Sequence, residues 1–233
     1  MNASGLLLDY GGTLVEEVGF DARAGNEVLW NLAAYRPPTL TFDQVLDRAQ
    51  TVSKMVADRR NEFGIETPWP ALTRLIHDHL GVRFELPMNQ LELAFWKASV
   101  TTAPVPGAIQ ALSECHRRGT PMAVVSNSSF GADVIRYELE KHSLAEYLAF
   151  IMVSSEYAVR KPNVLLFSTA AARLGISPQD IWFVGDRLDT DIRGAQAAKM
   201  KPVWLCREST PAPAGDGYLV ADSWQAILSH TGV

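Results

Sequence analysis

The chain has 233 residues, a hydrophobic fraction of 47%, a charged fraction of 20% and a formal net charge of −5 at pH 7. This composition is typical of a globular protein with a substantial core, and a negative charge without any basic run argues against nucleic acid as the main partner. No stretch approaches the ~20 apolar residues of a membrane span, and no signal peptide is evident. With Cys115 and Cys206 interpreted as reduced thiols, we expect a cytoplasmic protein that binds no membrane.

The first predicted element is a short buried strand that runs into a glycine-rich turn. Three consecutive leucines, at positions 6–8, are followed directly by Asp9 and then by Gly11 and Gly12. A brief apolar run bounded by glycines is typical of a buried strand. The pattern therefore places Asp9 at the carboxyl end of a strand.

The next region, residues 17–103, has helical periodicity and few strand signals. Apolar residues recur at helical spacing in three stretches. The residues that carry this pattern are Val28, Leu29, Leu32 and Ala33; Val45, Leu46, Ala49, Val52 and Val56; and Leu72, Leu75, Ile76 and Leu80. Prolines divide the region, and we predict four helices.

From residue 104 onwards, short apolar runs alternate with amphipathic segments. The predicted strands are 122–125, 149–153, 181–184, 202–205 and 218–220, and the predicted helices are 107–118, 131–141, 163–174, 189–198 and 222–229. Residues 209–217 are predicted to form a surface loop. Such alternation predicts an α/β fold with a Rossmann-like, mostly parallel sheet flanked by helices.

Polar residues follow four of the predicted strands. They are Asp9, Ser126 with Asn127, Lys161 beyond a short loop, and Asp186 with Asp191 behind it. Any one of them alone is more readily a turn, cap or surface residue. Because the carboxyl ends of parallel strands meet at one edge of a sheet, where ligands bind, their joint occurrence predicts a functional site.

These segments, in this order, resemble the four signatures of the haloacid dehalogenase-like (HAD) hydrolases. The matching segments are Asp9–Leu14, Ser126–Asn127, Lys161–Pro162 and Val184–Asp191. The helical insertion is similar to the cap of the subgroup with an α-helical cap. The resemblance implies a core domain of residues 1–16 and 104–233, with residues 17–103 as a helical cap domain.

The resemblance also implies a metal-assisted phosphoryl transfer. Asp9 would attack phosphorus and form an aspartyl-phosphate intermediate. A Mg²⁺ ion would be bound by the carboxylates of Asp9 and Asp186 and by the backbone carbonyl of Gly11, an all-oxygen site that suits a hard cation. Asp191 would orient these ligands rather than bind the metal.

The remaining residues of the resemblance would bind the phosphate. Lys161 would neutralise the charge that builds up when a carboxylate meets a phosphate, and Ser126 and Asn127 would hold phosphate oxygens. The expected partner is a small phosphorylated metabolite, and the sequence leaves the oligomeric state open.

The chain departs from the family pattern at Gly11, where the second aspartate of D-x-D-G-T-L normally transfers the proton. Loss of such a group typically costs ~10²–10⁴-fold in rate. In a phosphatase, Glu16 or Glu17 would be candidate substitutes, although exposure statistics favour a solvated pair.

Two other functions stay open. Cleavage of a C–P bond, as in phosphonoacetaldehyde hydrolases, would use a cap lysine, and Lys54 and Lys97 are available. A non-catalytic protein that binds a phosphometabolite would preserve the same site. Dehalogenation is disfavoured because Asp186 is retained.

Overall fold

The computed structural model describes residues 4–207 and 217–231. The strands are β1 (Gly5–Leu8), β2 (Val15–Phe20), β3 (Val100–Pro104), β4 (Met122–Ser126), β5 (Ile151–Val153), β6 (Ile181–Gly185), β7 (Lys201–Leu205) and β8 (Leu219–Ala221). The α-helices are α1 (Ala22–Leu32), α2 (Phe42–Phe63), α3 (Trp69–His79), α4 (Met88–Ser99), α5 (Ala108–Arg117), α6 (Ala132–Lys141), α7 (Ser154–Tyr157), α8 (Val164–Leu174), α9 (Arg193–Ala197) and α10 (Trp224–Thr231). The predicted surface loop at 209–217 lies outside the described residues, apart from Gly217.

Six strands form one sheet in the order β5-β4-β1-β6-β7-β8, and every described pairing in it is parallel. The predicted α/β fold is therefore confirmed. β1 lies at the centre, with Leu7 paired to Ala123 of β4 and to Phe183 of β6. The polar residues that follow these three strands consequently emerge side by side at one edge.

Both faces of the sheet are buried, as the apolar runs predicted. Leu6 and Leu8 join the cluster that contains Trp224 of α10, whereas Leu7 joins the opposite cluster with Phe167 of α8. This alternation follows from the two-residue period of a strand. The central strand is thus fixed by packing on both faces, and so is the position of Asp9 at its end.

The predicted helical segment contains four helices, α1–α4, but it is entered and left through strands that the sequence analysis missed. β2 and β3 pair as an antiparallel ribbon, with a bulge between Glu17 and Gly19. Residues 17–20 and 100–103, which the prediction assigned to the helical cap, therefore belong to this ribbon. β2 is mostly exposed and has no buried apolar run, so the signal used for the other strands was absent.

The helical segment contacts the sheet domain at several positions, through side chains and through the backbone. Phe130, which follows β4, packs against Trp69, Phe95 and Trp96 of the helices, with ring centroids 4.7–6.2 Å apart. An isolated antiparallel bridge joins Ile65 to Val159. Within the described ranges, the helices are all too short or too polar to cross a membrane.

Candidate active site

The centre of the site is a buried ion-pair network at the carboxyl edge of the sheet. Lys161 Nζ lies 2.5 Å from Asp9 Oδ1 and 2.7 Å from Asp191 Oδ1. All three residues are buried, with exposed fractions of 6% or less. Three of the predicted site residues are thus brought into direct contact across 182 positions of sequence.

Negative charge exceeds positive charge in this network. Burial raises the pKa of Asp9 to about 7, with Lys161 opposing the rise and Asp191 adding to it. Burial also raises the pKa of Asp186, and the charge of Asp191 contributes further. Burial alone would lower the pKa of Lys161, but the charges of Asp191 and Asp9 raise it above its ordinary value. One lysine therefore stays protonated among three crowded carboxylates.

The donor set fits a hard divalent cation. Carboxylate oxygens of Asp9, Asp186 and Asp191 lie within 4.8 Å of one another. Asp186 Oδ1 is buried and has no hydrogen-bond partner among the described residues. A buried carboxylate oxygen without a donor is costly unless a cation satisfies it. Three carboxylates around one lysine leave an excess of negative charge. A divalent cation bound by carboxylate oxygens would neutralise this excess.

Asp191 is held by the protein on both of its oxygens. Besides the contact with Lys161, its Oδ2 accepts a hydrogen bond of 3.1 Å from the backbone N–H of Arg187. These contacts hold Asp191 against Lys161, whereas the sequence analysis predicted that Asp191 orients the metal ligands, and that role stays a prediction.

Two glycines allow these side chains to approach the backbone. Gly12 has a positive φ of 73°, and a Cβ there would lie 2.3 Å from Asp186 Oδ2. A Cβ on Gly185 would lie 2.5 Å from the Asp191 side chain. Both positions therefore exclude other residues for steric reasons.

Gly11 differs from these two glycines. Its φ is not positive, and a Cβ built on it meets no atom within 4 Å. The space directly around that Cβ is therefore open among the described residues. The glycine is thus tolerated by the backbone rather than required by it.

Ser126 and Asn127 have different surroundings. Ser126 ends β4, is buried, and lines the cleft beside Asp9. The Asn127 side chain donates to the carbonyl of Lys161 at 3.1 Å and accepts from the Lys161 N–H at 2.8 Å. Its amide is therefore occupied in positioning the Lys161 backbone, a role that the sequence did not suggest.

The site opens into a cleft of about 750 Å³, within the usual size range of small-molecule sites. Besides the predicted residues, side chains from the ribbon and the helical segment line it. These are Glu17, Phe20, Arg60, Trp96 and Val100. The sequence analysis gave Arg60 no role, because no local motif marks a residue that reaches the cleft from a distant helix.

The remaining candidates of the sequence analysis lie outside the network. Glu16 forms an ion pair with Arg207. Lys54 is exposed, and Lys97 lies over the ring of Tyr137, 4.4 Å from its centroid. Neither lysine is among the residues that line the cleft.

Comparison with known proteins identifies the family. The sequence profile of the haloacid dehalogenase-like hydrolases matches residues 79–205. Because this match covers more than half of the chain, the chain belongs to this family, and the resemblance inferred from the motifs is confirmed. The profile match does not include Asp9 or most of the helical segment.

Phosphatases are among the relatives of this chain. The phosphoserine phosphatase of Thermus thermophilus is 31% identical over 53% of this chain and 49% of its own length. The glyceraldehyde 3-phosphate phosphatase of Methanopyrus kandleri is 36% identical over 45% of this chain and 44% of its own length. The chain therefore spans about half the length of the curated relatives it matches.

Solved structures share the fold over the whole chain. A HAD phosphatase from Thermococcus onnurineus superposes with a TM-score of 0.64 at 18% identity, covering 100% of this chain and 98% of its own. A 2-haloacid dehalogenase from Pseudomonas syringae has a TM-score of 0.66 at 17% identity, covering 98% and 97%. Since phosphatases and dehalogenases share this architecture, the fold alone does not select the reaction.

Proposed function

We propose that this chain is a Mg²⁺-dependent phosphatase that acts on a small phosphorylated metabolite through an aspartyl-phosphate intermediate. The observation that carries the proposal is the buried contact of Lys161 with Asp9 and Asp191, next to the unpartnered oxygen of Asp186. The phosphatase relatives support the same class of reaction. We also propose that residues 17–103 act as a cap domain over a core of residues 1–16 and 104–233.

The proposed reaction follows from the positions of the side chains. The Asp9 carboxylate attacks phosphorus, the ester P–O bond breaks, and the leaving oxygen takes up a proton. Lys161 neutralises the negative charge that gathers as carboxylate and phosphate approach, and the Ser126 hydroxyl donates to a phosphate oxygen. Water then attacks the aspartyl phosphate, which releases inorganic phosphate and restores Asp9.

The proposed metal ligands are Asp9, the backbone carbonyl of Gly11, and Asp186. When bound, Mg²⁺ supplies charge compensation for the phosphoryl group. A ligand at position 11 that comes from the backbone does not depend on the side chain there. The glycine therefore leaves the metal site intact and affects only proton transfer.

We propose Glu17 as the group that replaces the missing aspartate. Glu17 lies on β2 and lines the same cleft as Asp9 and Gly11, whereas its neighbour Glu16 is paired with Arg207. Glu17 is exposed on β2, but partial desolvation raises its pKa, and the charge of Glu138 adds to the rise. A carboxyl group that keeps its proton to higher pH is better suited to protonate a leaving group near neutrality.

The test is release of inorganic phosphate from a panel of phosphomonoesters and acyl phosphates. Turnover should require Mg²⁺, disappear with EDTA, and be abolished in Asp9→Asn. The variant Asp180→Asn, at a distant exposed carboxylate, is the matched control and should retain full activity. Absence of turnover on the whole panel, together with metal-dependent phosphate binding measured by calorimetry, would instead establish a binding protein.

Cleavage of a C–P bond finds less support, because neither cap lysine lines the cleft. Borohydride trapping of an aldehyde substrate on Lys54 or Lys97 is the outcome that would favour it.

A further inference from the structure

The cations that line the cleft differ in whether they have a carboxylate partner. Lys161 contacts Asp9 and Asp191, and Arg187 lies 3.1 Å from Asp189. Arg160 forms an ion pair with the buried carboxylate of Glu66. Arg60 is the exception: within the described part of the chain, no carboxylate lies within ion-pair distance of it.

Within the described residues, the Nε of Arg60 also lacks a hydrogen-bond partner, although this nitrogen is buried. A buried guanidinium N–H without an acceptor is rare in folded proteins, because its desolvation is not compensated. An acceptor supplied by a ligand in the cleft would remove this deficit.

Backbone hydrogen bonds link the end of the helix that carries Arg60 to the segment that carries Lys161. Arg60 lies in the last turn of α2, and its carbonyl accepts the N–H of Gly64, which ends the helix with a φ of 63°. The carbonyl of Gly64 in turn accepts the N–H of Arg160 at 3.2 Å. Since Arg160 directly precedes Lys161, the end of α2 is fastened to the segment that carries the catalytic lysine.

Arg60, Arg160 and Arg187 all line the cleft, and their charges influence one another. Burial lowers the pKa of Arg160, Glu66 opposes this effect, and the charges of Arg60 and Arg187 lower it further. Glu66 pairs with Arg160, and Asp189 pairs with Arg187, so the charge of Arg60 is the one left without a carboxylate among the described residues. This side of the cleft therefore retains positive charge.

We propose that Arg60 binds a second anionic group of the substrate, so that the substrate class is a small phosphate ester that also carries a carboxylate or a second phosphate. A guanidinium forms paired hydrogen bonds with a carboxylate or a phosphate, because each of these groups presents two oxygens that both accept. The inference rests on the proposed function, since it takes the first phosphate to lie at Asp9. The cleft, at about 750 Å³, has room for both groups.

The test compares matched substrates that differ in the second anionic group. Phosphoglycolate and ethyl phosphate differ by a carboxylate, while fructose 1,6-bisphosphate and fructose 6-phosphate differ by a phosphate, so the two pairs distinguish the sources of the anion. Arg60→Gln should lower kcat/KM by about 10- to 100-fold for the preferred two-anion substrate, mainly through KM, and by less than about twofold for its one-anion counterpart. Arg60→Lys, which keeps the charge, should recover part of the loss.

The neighbouring Arg59 provides the matched control, because it is exposed and does not line the cleft. Arg59→Gln should leave kcat/KM unchanged for both substrate pairs. Equal losses for one-anion and two-anion substrates in Arg60→Gln, or equal effects of the two glutamine variants, would overturn the proposal.

A binding experiment separates this inference from the proposed function. Asp9→Asn cannot form the aspartyl phosphate, so calorimetry on it measures binding without turnover. In this background, Arg60→Gln should abolish the preference for two-anion ligands even if no substrate is hydrolysed by the unmodified chain. The inference is refuted, whatever the catalytic result, if Asp9→Asn alone shows no preference for two-anion ligands. It is also refuted if the preference persists after Arg60→Gln is added.

Discussion

Restoring the aspartate of the family pattern at position 11 tests whether proton transfer is what the glycine removed. The substitution Gly11→Asp places a Cβ where no atom lies within 4 Å, on a backbone without a positive φ. We therefore expect the folded structure to accept it without strain. The introduced carboxylate would enter the same cleft as Asp9 and Glu17.

The expected size of the effect depends on what carries the proton now. A positioned acid or base contributes ~10²–10⁴-fold, or about 3–5 kcal/mol of activation free energy. If Glu17 already fills the role, Glu17→Gln should lower turnover by an amount in this range. Adding Gly11→Asp to that variant should then restore turnover by ~10²-fold or more, while its gain in the unmodified chain should be smaller.

The assay is steady-state phosphate release from a phosphomonoester with an alkoxide leaving group, where protonation matters most. Glu17→Gln should also remove the loss of activity on the alkaline side, because the active form of Glu17 is protonated and its raised pKa sets where that form is lost. Gly11→Asn is the matched control, since it has the shape of aspartate but cannot transfer a proton. Phosphate release from the double variant at or below that of Glu17→Gln, with Tm unchanged, would refute the reasoning and show a site rebuilt around glycine.

Two further predictions concern stability. Burial raises the pKa of Glu92 to about 7, so the folded state binds a proton that the unfolded state releases near 4.5, and stability falls as pH rises between these values. Glu92→Gln should therefore increase the free energy of unfolding above pH 7, by up to about 3 kcal/mol, and change it little at pH 4. Denaturant titrations at both pH values measure this free energy. A gain in stability that does not depend on pH would contradict the prediction. Leu7→Ala should cost about 2–5 kcal/mol because Leu7 is fully buried in the central strand, whereas Leu165→Ala, 66% exposed, should cost less than about 1 kcal/mol; similar midpoints for the two would argue against the packing described.

Much of the fold could be predicted because its signals are local. A buried parallel strand reads as a short apolar run, and the leucines before Asp9 pack on both faces of the sheet as that run predicted. Helix ends at glycines were also predictable, and α8 does end at Gly175 with a left-handed backbone. The β2–β3 ribbon was not predicted because β2 is mostly exposed and its partner strand lies about 80 residues further along the chain.

The candidate site shows a similar division. The sequence by itself determined which polar residues follow the strands, and sheet topology requires such residues to meet at one edge. Only the tertiary structure decided what each side chain does there: the Asn127 amide is used on the Lys161 backbone, one oxygen of Asp186 is left without a donor, and Arg60 is carried to the cleft. Arg60 and Arg160 are 100 positions apart, and the bridge between Ile65 and Val159 joins the segments beside them. The physical reason is that residue type and spacing encode local backbone structure, whereas hydrogen-bond partners and unpaired charges arise from packing between distant segments.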